Sequence, residues 1–290
     1  MFRIKTPATS ANLGPGFDLL GIALNLFNEF EIVETNHFKF VNFQYRYANE
    51  HNLIIKAYKE VFTYLNLKII PIEIKQIKND IPNSRGLGSS ASCIACGIVA
   101  ANTILNKPLN KKELLKIASQ LEGHPDNVAP CLFGGLIACR EFRQEISYYN
   151  YPVSKKLRIY LLIPDFKLKT SEARAVLPNK INHHDSVKNS ANLLFLLQAL
   201  KAENQEVLNE VIVDYLHSNY RQKLIAEYQE IRELFKDKAV TISGAGPSIL
   251  VLSYQKIQVS QIRKQVKVLK NKWEIKELTV NYQGTEVEKI

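Results

Sequence analysis

A two-domain α+β protein is what this chain predicts, and three observations carry that expectation. The length is 290 residues, close to two domains at the usual ~150 residues each. Segments with the two-residue period of strands and segments with the helical period are mixed along it without a strict β-α-β rhythm, which argues against a doubly wound sheet. An apolar content of 46% and a charged content of 23% are ordinary for a globular chain and leave material for a core in each half.

Taken in order, Phe2-Arg3-Ile4-Lys5 alternates and reads as a short strand that Pro7 ends. Residues 20–33 are mostly apolar and fit another strand or strand pair. Ile54, Ala57, Tyr58, Val61, Phe62 and Leu65 recur at helical spacing, which predicts a helix over 53–65. Ile70, Ile72 and Ile74 alternate with Pro71, Glu73 and Lys75, a strand with the proline at its start or on an edge. Asn110 and Glu113 form a capping box for a helix over 111–121, and Gly134-Gly135 leads into a strand at 136–139.

The polar, tyrosine-rich stretch 144–151 precedes the second half, and the boundary falls between Gln144 and Lys156, dividing the chain into 1–150 and 151–290. Leu157, Ile159, Leu161 and Ile163 alternate and stop at Pro164. Helical patterns follow at 191–200, 207–216 and 224–235. A strand at 239–242, a glycine turn, a strand at 249–252, a helix at 259–269 and a strand near 275–282 complete the chain.

The chain carries 38 lysines and arginines against 28 aspartates and glutamates, a formal charge of +10. Such a balance favours anionic partners, ATP among them, and permits non-specific attraction to nucleic acid. The basic residues are dispersed, however, and the densest group, Lys264, Lys267, Lys270 and Lys272, reads as the solvated face of a helix. With no interleaved aromatic platform either, no nucleic-acid partner is expected. Cys93, Cys96, Cys131 and Cys139 sit among apolar neighbours without a second pair to complete a zinc site, so they read as buried free thiols of a reducing cytoplasm. No signal-peptide pattern and no apolar run of ~18 residues is present, so no membrane is expected.

The chemistry begins at Pro82-Asn83-Ser84-Arg85-Gly86-Leu87-Gly88-Ser89-Ser90-Ala91-Ser92, which runs straight into a small-residue apolar stretch. This is a glycine loop opening a helix. Such a start presents unpaired N–H groups and the positive end of the helix dipole, a natural seat for an anion and above all a phosphate. Gly86 and Gly88 permit a tight turn and close approach of a ligand. Ser89, Ser90 and Ser92 add hydroxyls able to bond phosphate oxygens or help hold Mg²⁺. Alone, the string is equally an ordinary turn with a serine N-cap. It is neither the P-loop nor the Rossmann pattern.

Three further segments narrow the reading. Thr6-Pro7-Ala8-Thr9-Ser10-Ala11-Asn12-Leu13-Gly14-Pro15-Gly16-Phe17-Asp18 opens the chain. Glu122-Gly123-His124-Pro125-Asp126-Asn127-Val128-Ala129-Pro130 follows the glycine loop, and Ile242-Ser243-Gly244-Ala245-Gly246-Pro247-Ser248 lies near the end. In this order the four segments resemble the motifs of the GHMP small-molecule kinases, with the first and third in the form of the family's homoserine kinases. The similarity runs from residue 3 to about residue 252. It implies an N-terminal ribosomal-protein-like α+β domain and a C-terminal ferredoxin-like α+β domain. The implied activity is transfer of phosphate from ATP to the side-chain hydroxyl of L-homoserine, giving O-phospho-L-homoserine in threonine biosynthesis. A homodimer is also implied.

The same resemblance distributes the roles. Residues 82–92 would cradle the triphosphate, with Ser90 and Glu122 holding Mg²⁺, an ion that keeps several waters and shares its ligands with phosphate. Glu122 near a helix C terminus is unfavourable with the dipole, which makes a cation partner attractive. Asn52 matches the adenine-side position and also reads as the N-cap of the following helix. Arg85 is either a phosphate contact or an exposed loop arginine.

Homoserine's carboxylate calls for a planar guanidinium. Arg174, in Thr170-Ser171-Glu172-Ala173-Arg174, and Arg221, in Asn219-Tyr220-Arg221, match positions that supply it, and Thr170 is taken with them as substrate-binding. Asp18 and Asn12 are the candidates for the ammonium group. Asn127 matches the contact to the homoserine hydroxyl, and Asp126 is equivalent to the aspartate taken as general base in several relatives. His124 either orients the substrate or satisfies a local backbone group. Asparagine cannot act as a base at neutral pH. A version without a base, in which positioning and electrostatics act and the γ-phosphate takes the proton late, is therefore favoured over one using Asp126. Ser243 to Pro247 carries no titratable group and is expected to pack against the glycine loop or the opening motif. The rivals are a GHMP kinase for another alcohol such as mevalonate, which lacks an ammonium, and a non-catalytic nucleic-acid-binding relative.

Overall fold

The computed structural model describes residues 1–143 and 145–290. Gln144, the near end of the expected boundary segment, lies outside the described residues. The first half runs β1 (Phe2–Ala11), β2 (Leu20–Glu34), β3 (Lys39–Val41), α1 (Leu53–Tyr64), β4 (Ile72–Asn79), α2 (Ser89–Ile104), α3 (Lys111–Glu122), α4 (Pro125–Phe133), β5 (Leu136–Phe142) and β6 (Glu145–Tyr151). The second runs β7 (Arg158–Pro164), α5 (Thr170–Ala175), α6 (His183–Ala202), α7 (Gln205–Val211), α8 (Ser218–Arg221), α9 (Tyr228–Leu234), β8 (Ala239–Ile242), β9 (Ile249–Ser253), α10 (Val259–Val266), β10 (Trp273–Leu278) and β11 (Glu286–Lys289).

The first sheet is seven-stranded, in the order β11-β1-β2-β4-β3, with β5 joined to β2 and β6 to β5. β2 is long enough to serve two partners: Leu20 to Ile22 pair with β5, and Asn28 to Glu34 pair with β4. The second sheet is four-stranded, ordered β10-β7-β9-β8, with every pairing antiparallel. Its strands enter as β-α-β-β-α-β, the ferredoxin-like arrangement. The mixed α+β expectation is met.

Three apolar clusters hold these layers. Ile54, Tyr58 and Phe62 of α1 and Ile94, Ala95 and Ile98 of α2 pack with Phe30, Ile32, Ile72 and Ile74 of the first sheet. Alternation along β7 sends Ile159, Leu161 and Ile163 to one side and Tyr160 and Leu162 to the other. The first set meets Leu20, Ile22 and Leu24 of β2, Leu136 of β5, and Leu196 and Leu200 of α6. One core therefore spans residues from both halves, and each such side chain contributes about 1.5–3 kcal/mol over exposure. That burial fixes the two sides of the cleft described below.

Some local expectations change. Pro7 does not end β1, because its missing N–H falls where the ladder to β2 shifts register, beyond Lys5, the last residue paired with β11. The tyrosine-rich stretch forms β6, a hairpin partner of β5, with Ile146 and Tyr148 on its half-buried side. The helix expected over 207–216 stops at Val211, and Asp214 instead caps the next turn through the amides of Leu216, His217 and Ser218. No helix among the described residues is long and apolar enough to cross a membrane.

Candidate active site

The glycine loop links β4 to α2 and is shaped by its backbone. Gly86 and Gly88 hold φ of 70° and 64°, the left-handed region that side chains avoid. A Cβ on Gly86 would lie 2.1 Å from the Ser243 carbonyl oxygen, and one on Gly88 would lie 1.9 Å from Thr9 Oγ1. Gly88 is the N-cap of α2 and offers no side chain, so the amides of the first turn remain open to an anion. Ser243 Oγ donates to the Gly86 carbonyl at 2.7 Å, and Asn12 Nδ2 donates to the Gly244 carbonyl at 3.0 Å. The late glycine turn thus clamps both the loop and the opening motif.

Two side chains of this loop differ from expectation. Arg85 is neither exposed nor free: Nε donates to the Pro164 carbonyl at 2.9 Å and Nη2 to that of Asp165 at 2.8 Å, while the residue is 9% exposed. Its guanidinium ties the loop to the end of β7, and the residue still borders the polar hollow. Ser92 is fully buried, with Oγ at 2.7 Å from Thr6 Oγ1 and accepting from Asn28 Nδ2, so its hydroxyl faces the core. One helical turn beyond the open amides, it points away from them. Pro82, Ser84, Leu87, Ser89 and Ser90 line the cleft, whereas Ala91 is buried behind it.

The loop is a wall between two hollows of about 360 Å³ each. Ser84, Ser89 and Ser90 line both. The more apolar hollow is bounded by Phe30, Phe43, Tyr47, Asn52, Leu53 and Asn83. Asn52 sits there as the N-cap of α1: Oδ1 accepts from the Ile54 amide at 2.9 Å and Nδ2 donates to the Tyr47 carbonyl at 2.7 Å. Its capping role is therefore seen, and it also borders the hollow.

The polar hollow collects residues from six segments of the chain. Ser90 Oγ donates to Glu122 Oε2 at 2.6 Å. Burial raises the Glu122 carboxyl above its ordinary range, with the Ser90 hydrogen bond acting against that shift. A half-buried carboxylate at the end of α3 beside a helix N-terminal hydroxyl is a fitting pair of hard oxygen donors for a divalent cation. No group of three His, Cys, Asp or Glu side chains is placed to hold a metal ion among the described residues. Such an ion would take most of its ligands from phosphate and water.

His124 caps α4 with Pro125 at its first position, a start that suits proline. Its Nδ1 lies 2.9 Å from Oδ1 of Asp126, which is 1% exposed. That hydrogen bond raises the His124 imidazole above its ordinary value. Asn127 Oδ1 accepts from Thr9 Oγ1 at 2.8 Å, which orients the amide.

Across the hollow, Arg174 of α5 meets Asp18 of the opening motif in a two-pronged pair at 3.0 and 3.2 Å, near Thr170. Asn12 Oδ1 accepts from the Asp18 amide at 2.8 Å, and both residues hold positive φ. Arg221, by contrast, is 1% exposed, and burial lowers its guanidinium to about 10, still charged at neutral pH. The structure thus gathers Asn12, Asp18, Glu122, His124, Asp126, Asn127, Thr170, Arg174 and Arg221 around one hollow. The sequence alone assigns no individual role to Thr9 and Phe17 within the opening motif, nor to Asp214, His217 or Tyr47. Of these, His217 carries a readable cue: it precedes Arg221 by four residues, one helical turn.

Cys93 borders the more apolar hollow and the other three thiols are buried, and burial pushes each of the four up from its ordinary value.

Comparison with known proteins agrees with this arrangement. The family description "GHMP kinases N terminal domain" matches residues 52–135. A homoserine kinase of Clostridium botulinum is 41% identical over 99% of this chain and 98% of its own. One of Clostridium beijerinckii is 38% identical with the same coverage. The crystal structure of homoserine kinase from Cytophaga hutchinsonii superposes with a TM-score of 0.88 at 27% identity, covering 99% of this chain and 96% of that one. The mevalonate kinase of Methanococcus jannaschii shares the fold, with a TM-score of 0.73 at 18% identity over 96% and 98% of the two chains.

Proposed function

The chain belongs to the homoserine kinase family of the GHMP kinases, and on that premise we propose that it transfers the γ-phosphate of ATP to the side-chain hydroxyl of L-homoserine. One observation carries the reading. A phosphate-cradling loop separates an apolar hollow from a polar one whose far wall holds a carboxylate and a guanidinium matched to each other. The adenine would occupy the hollow at Phe43, Tyr47 and Asn52, and the triphosphate would lie on the amides at the start of α2.

The Asp18–Arg174 pair supports a zwitterionic acceptor. An ammonium and a carboxylate entering together replace each ion's partner, so no charge is stranded. Mevalonate's carboxylate would pair with Arg174 but leave Asp18 without a cation, which disfavours that rival. Arg221 would receive the same carboxylate from the floor of the hollow.

Asn127, whose Oδ1 is fixed by Thr9 and whose Nδ2 lies 3.5 Å from Asp126 Oδ1, would present its amide N–H groups to the hydroxyl and position it for in-line attack. Asp126 is buried against His124 and needs no proton-accepting role in this scheme. The hydroxyl proton passes to the transferring phosphate late in the reaction, the loose transition state placing little demand on a base. Ser90 and Glu122 would hold Mg²⁺, which supplies neutralisation of phosphate charge when bound.

We further propose that the chain divides into a nucleotide-binding domain, 1–150, and a second domain, 151–290, whose last strand returns to the first sheet. A homodimer would use the outer face of α6, where Val187, Leu194 and Phe195 are 55%, 68% and 60% exposed. Wild type should sediment as a dimer and Phe195→Glu as a monomer. The decisive assay is transfer from ATP to L-homoserine, with D-homoserine and mevalonate as controls. Equal turnover of mevalonate would sink the zwitterion argument, and no transfer at all would sink the reading.

A further inference from the structure

We propose that His217 is a positioning residue for Arg221: its neutral imidazole fixes the direction in which the guanidinium meets the substrate carboxylate, without neutralising it. The proposal rests on the reading that Arg221 receives that carboxylate.

Five N–H bonds leave a guanidinium, and the structure accounts for three of them here. Nε donates to the Ala173 carbonyl at 3.2 Å. Nη1 donates to the Gly244 carbonyl at 3.2 Å and faces His217 Nδ1 at 3.4 Å. Nη2 makes no hydrogen bond among the described residues, and Arg221 lines the polar hollow. Three acceptors on the closed side therefore set the plane of the group and leave one edge for a ligand.

None of the three acceptors is an anion. Arg174 shows the alternative, since its prongs rest on the Asp18 carboxylate. A carboxylate in the place of His217 would hold Arg221 equally well but compete with the incoming substrate for its charge. Asp214 is kept one step back. Its oxygens accept from the amides of Leu216, His217 and Ser218 at 3.1, 2.7 and 2.6 Å, and Oδ2 lies 3.7 Å from His217 Nε2.

The imidazole is wholly buried, and burial lowers it to about 4, so the ring is neutral in the physiological range. With Nδ1 accepting from Arg221, the proton sits on Nε2, facing Asp214. Phe17 braces the assembly from the opening motif, with its ring 5.1 Å from the imidazole and 5.1 Å from the Arg221 guanidinium carbon. His217 Nε2 nevertheless has no hydrogen-bond partner among the described residues. A phenylalanine would fill this space without stranding a polar atom, so packing alone does not explain a histidine here.

The test pairs two variants with two acceptors. L-Homoserinol has a CH₂OH group where L-homoserine has its carboxylate. His217→Phe should raise the homoserine KM about tenfold or more, while kcat and the ATP KM change less than about threefold. The same variant should leave kcat/KM for homoserinol within about twofold of wild type, because no carboxylate is there to be met. His217→Asn, which restores a neutral acceptor near the Nδ1 position, should recover most of the homoserine KM. Equal losses on both acceptors, or no loss on either, would overturn the proposal. Nitrogen NMR of the histidines in wild type needs no variant: a neutral ring with its proton on Nε2 is expected, and a charged ring or the other tautomer would overturn it. Wild type failing on homoserine would instead defeat the substrate reading, independently of the His217 comparison.

Discussion

On the proposed nucleotide side the cleft is made of backbone: two left-handed glycines, open amides at the start of α2, and a carbonyl clamped by Ser243. On its acceptor side it is made of charged and amide side chains carried by the opening motif, α4, α5 and α8. A triphosphate presents the same geometry to every enzyme, so fixed amides suffice. An amino acid must be told from its neighbours, which takes charges of both signs at a set separation. The two sides should therefore fail in different ways. The nucleotide side should be intolerant of added atoms, and the acceptor side intolerant of changed charge or hydrogen-bond direction.

The largest effect should come from Gly88→Val. The new side chain meets Thr9 Oγ1 at an impossible 1.9 Å, in a backbone region that a β-branched residue avoids. Loss of kcat/KM by about 10³-fold or more is expected, together with loss of the thermal shift given by ADP. Retained nucleotide binding would break the contrast, because it would show that the loop can re-form around a side chain.

On the acceptor side the two arginines should separate. Arg221→Lys removes a guanidinium from a site that is 1% exposed and leaves carbonyl acceptors without donors, so kcat/KM for homoserine should fall about 100-fold. Arg174→Lys acts where the side chain is 47% exposed and Asp18 can still find a cation, and a fall of about tenfold is expected. The ATP KM should hardly move in either variant. An equal loss would mean that burial does not distinguish the two.

A smaller effect sharpens the proton step. Asp126→Asn keeps the shape of the residue and a partner for His124. A scheme without a base predicts at most about a tenfold loss in kcat with unchanged melting temperature. A loss of about 10³-fold with the fold intact would restore Asp126 as a base.

The contrast also explains how much could be read beforehand. The glycine loop was legible because backbone geometry leaves a contiguous trace, with glycines at fixed places before a helix start. The alternation of β7 and the helical spacing of α1 were legible for the same reason. Asp18, Asn127, Arg174 and Arg221 are far apart in sequence, and only the family resemblance brought them together. The inward turn of Ser92 and the anchoring of Arg85 leave no local trace, because a polar residue in a glycine loop suits a ligand equally well. Nothing local shows that Pro164 and Asp165 carbonyls wait for the arginine, or that Thr6 and Asn28 wait for the serine. β6 was missed because its inward positions are an isoleucine and a tyrosine among polar residues, a weak alternation. β11 was missed because all four of its residues are exposed, so no period marks it.

The smallest expected effect concerns stability and again divides the two sides, since the nucleotide loop holds no titratable group that is buried neutral. His217 is such a group on the acceptor side. Its folded value of about 4 lies below the ~6.5 of an unfolded histidine, so between those values the unfolded chain binds a proton that the folded chain refuses. Stability from this source is complete above the unfolded value and drains away as pH falls toward the folded one. His217→Asn removes the titration while keeping an acceptor. Its melting temperature should therefore decline less than that of wild type between pH 6.5 and 4.5, by about 2–5 °C. Other acid-sensitive groups are common to both proteins and cancel in the difference. Parallel curves would mean that the imidazole is already protonated beside Asp214 at neutral pH, and a charged ring could not accept from Arg221.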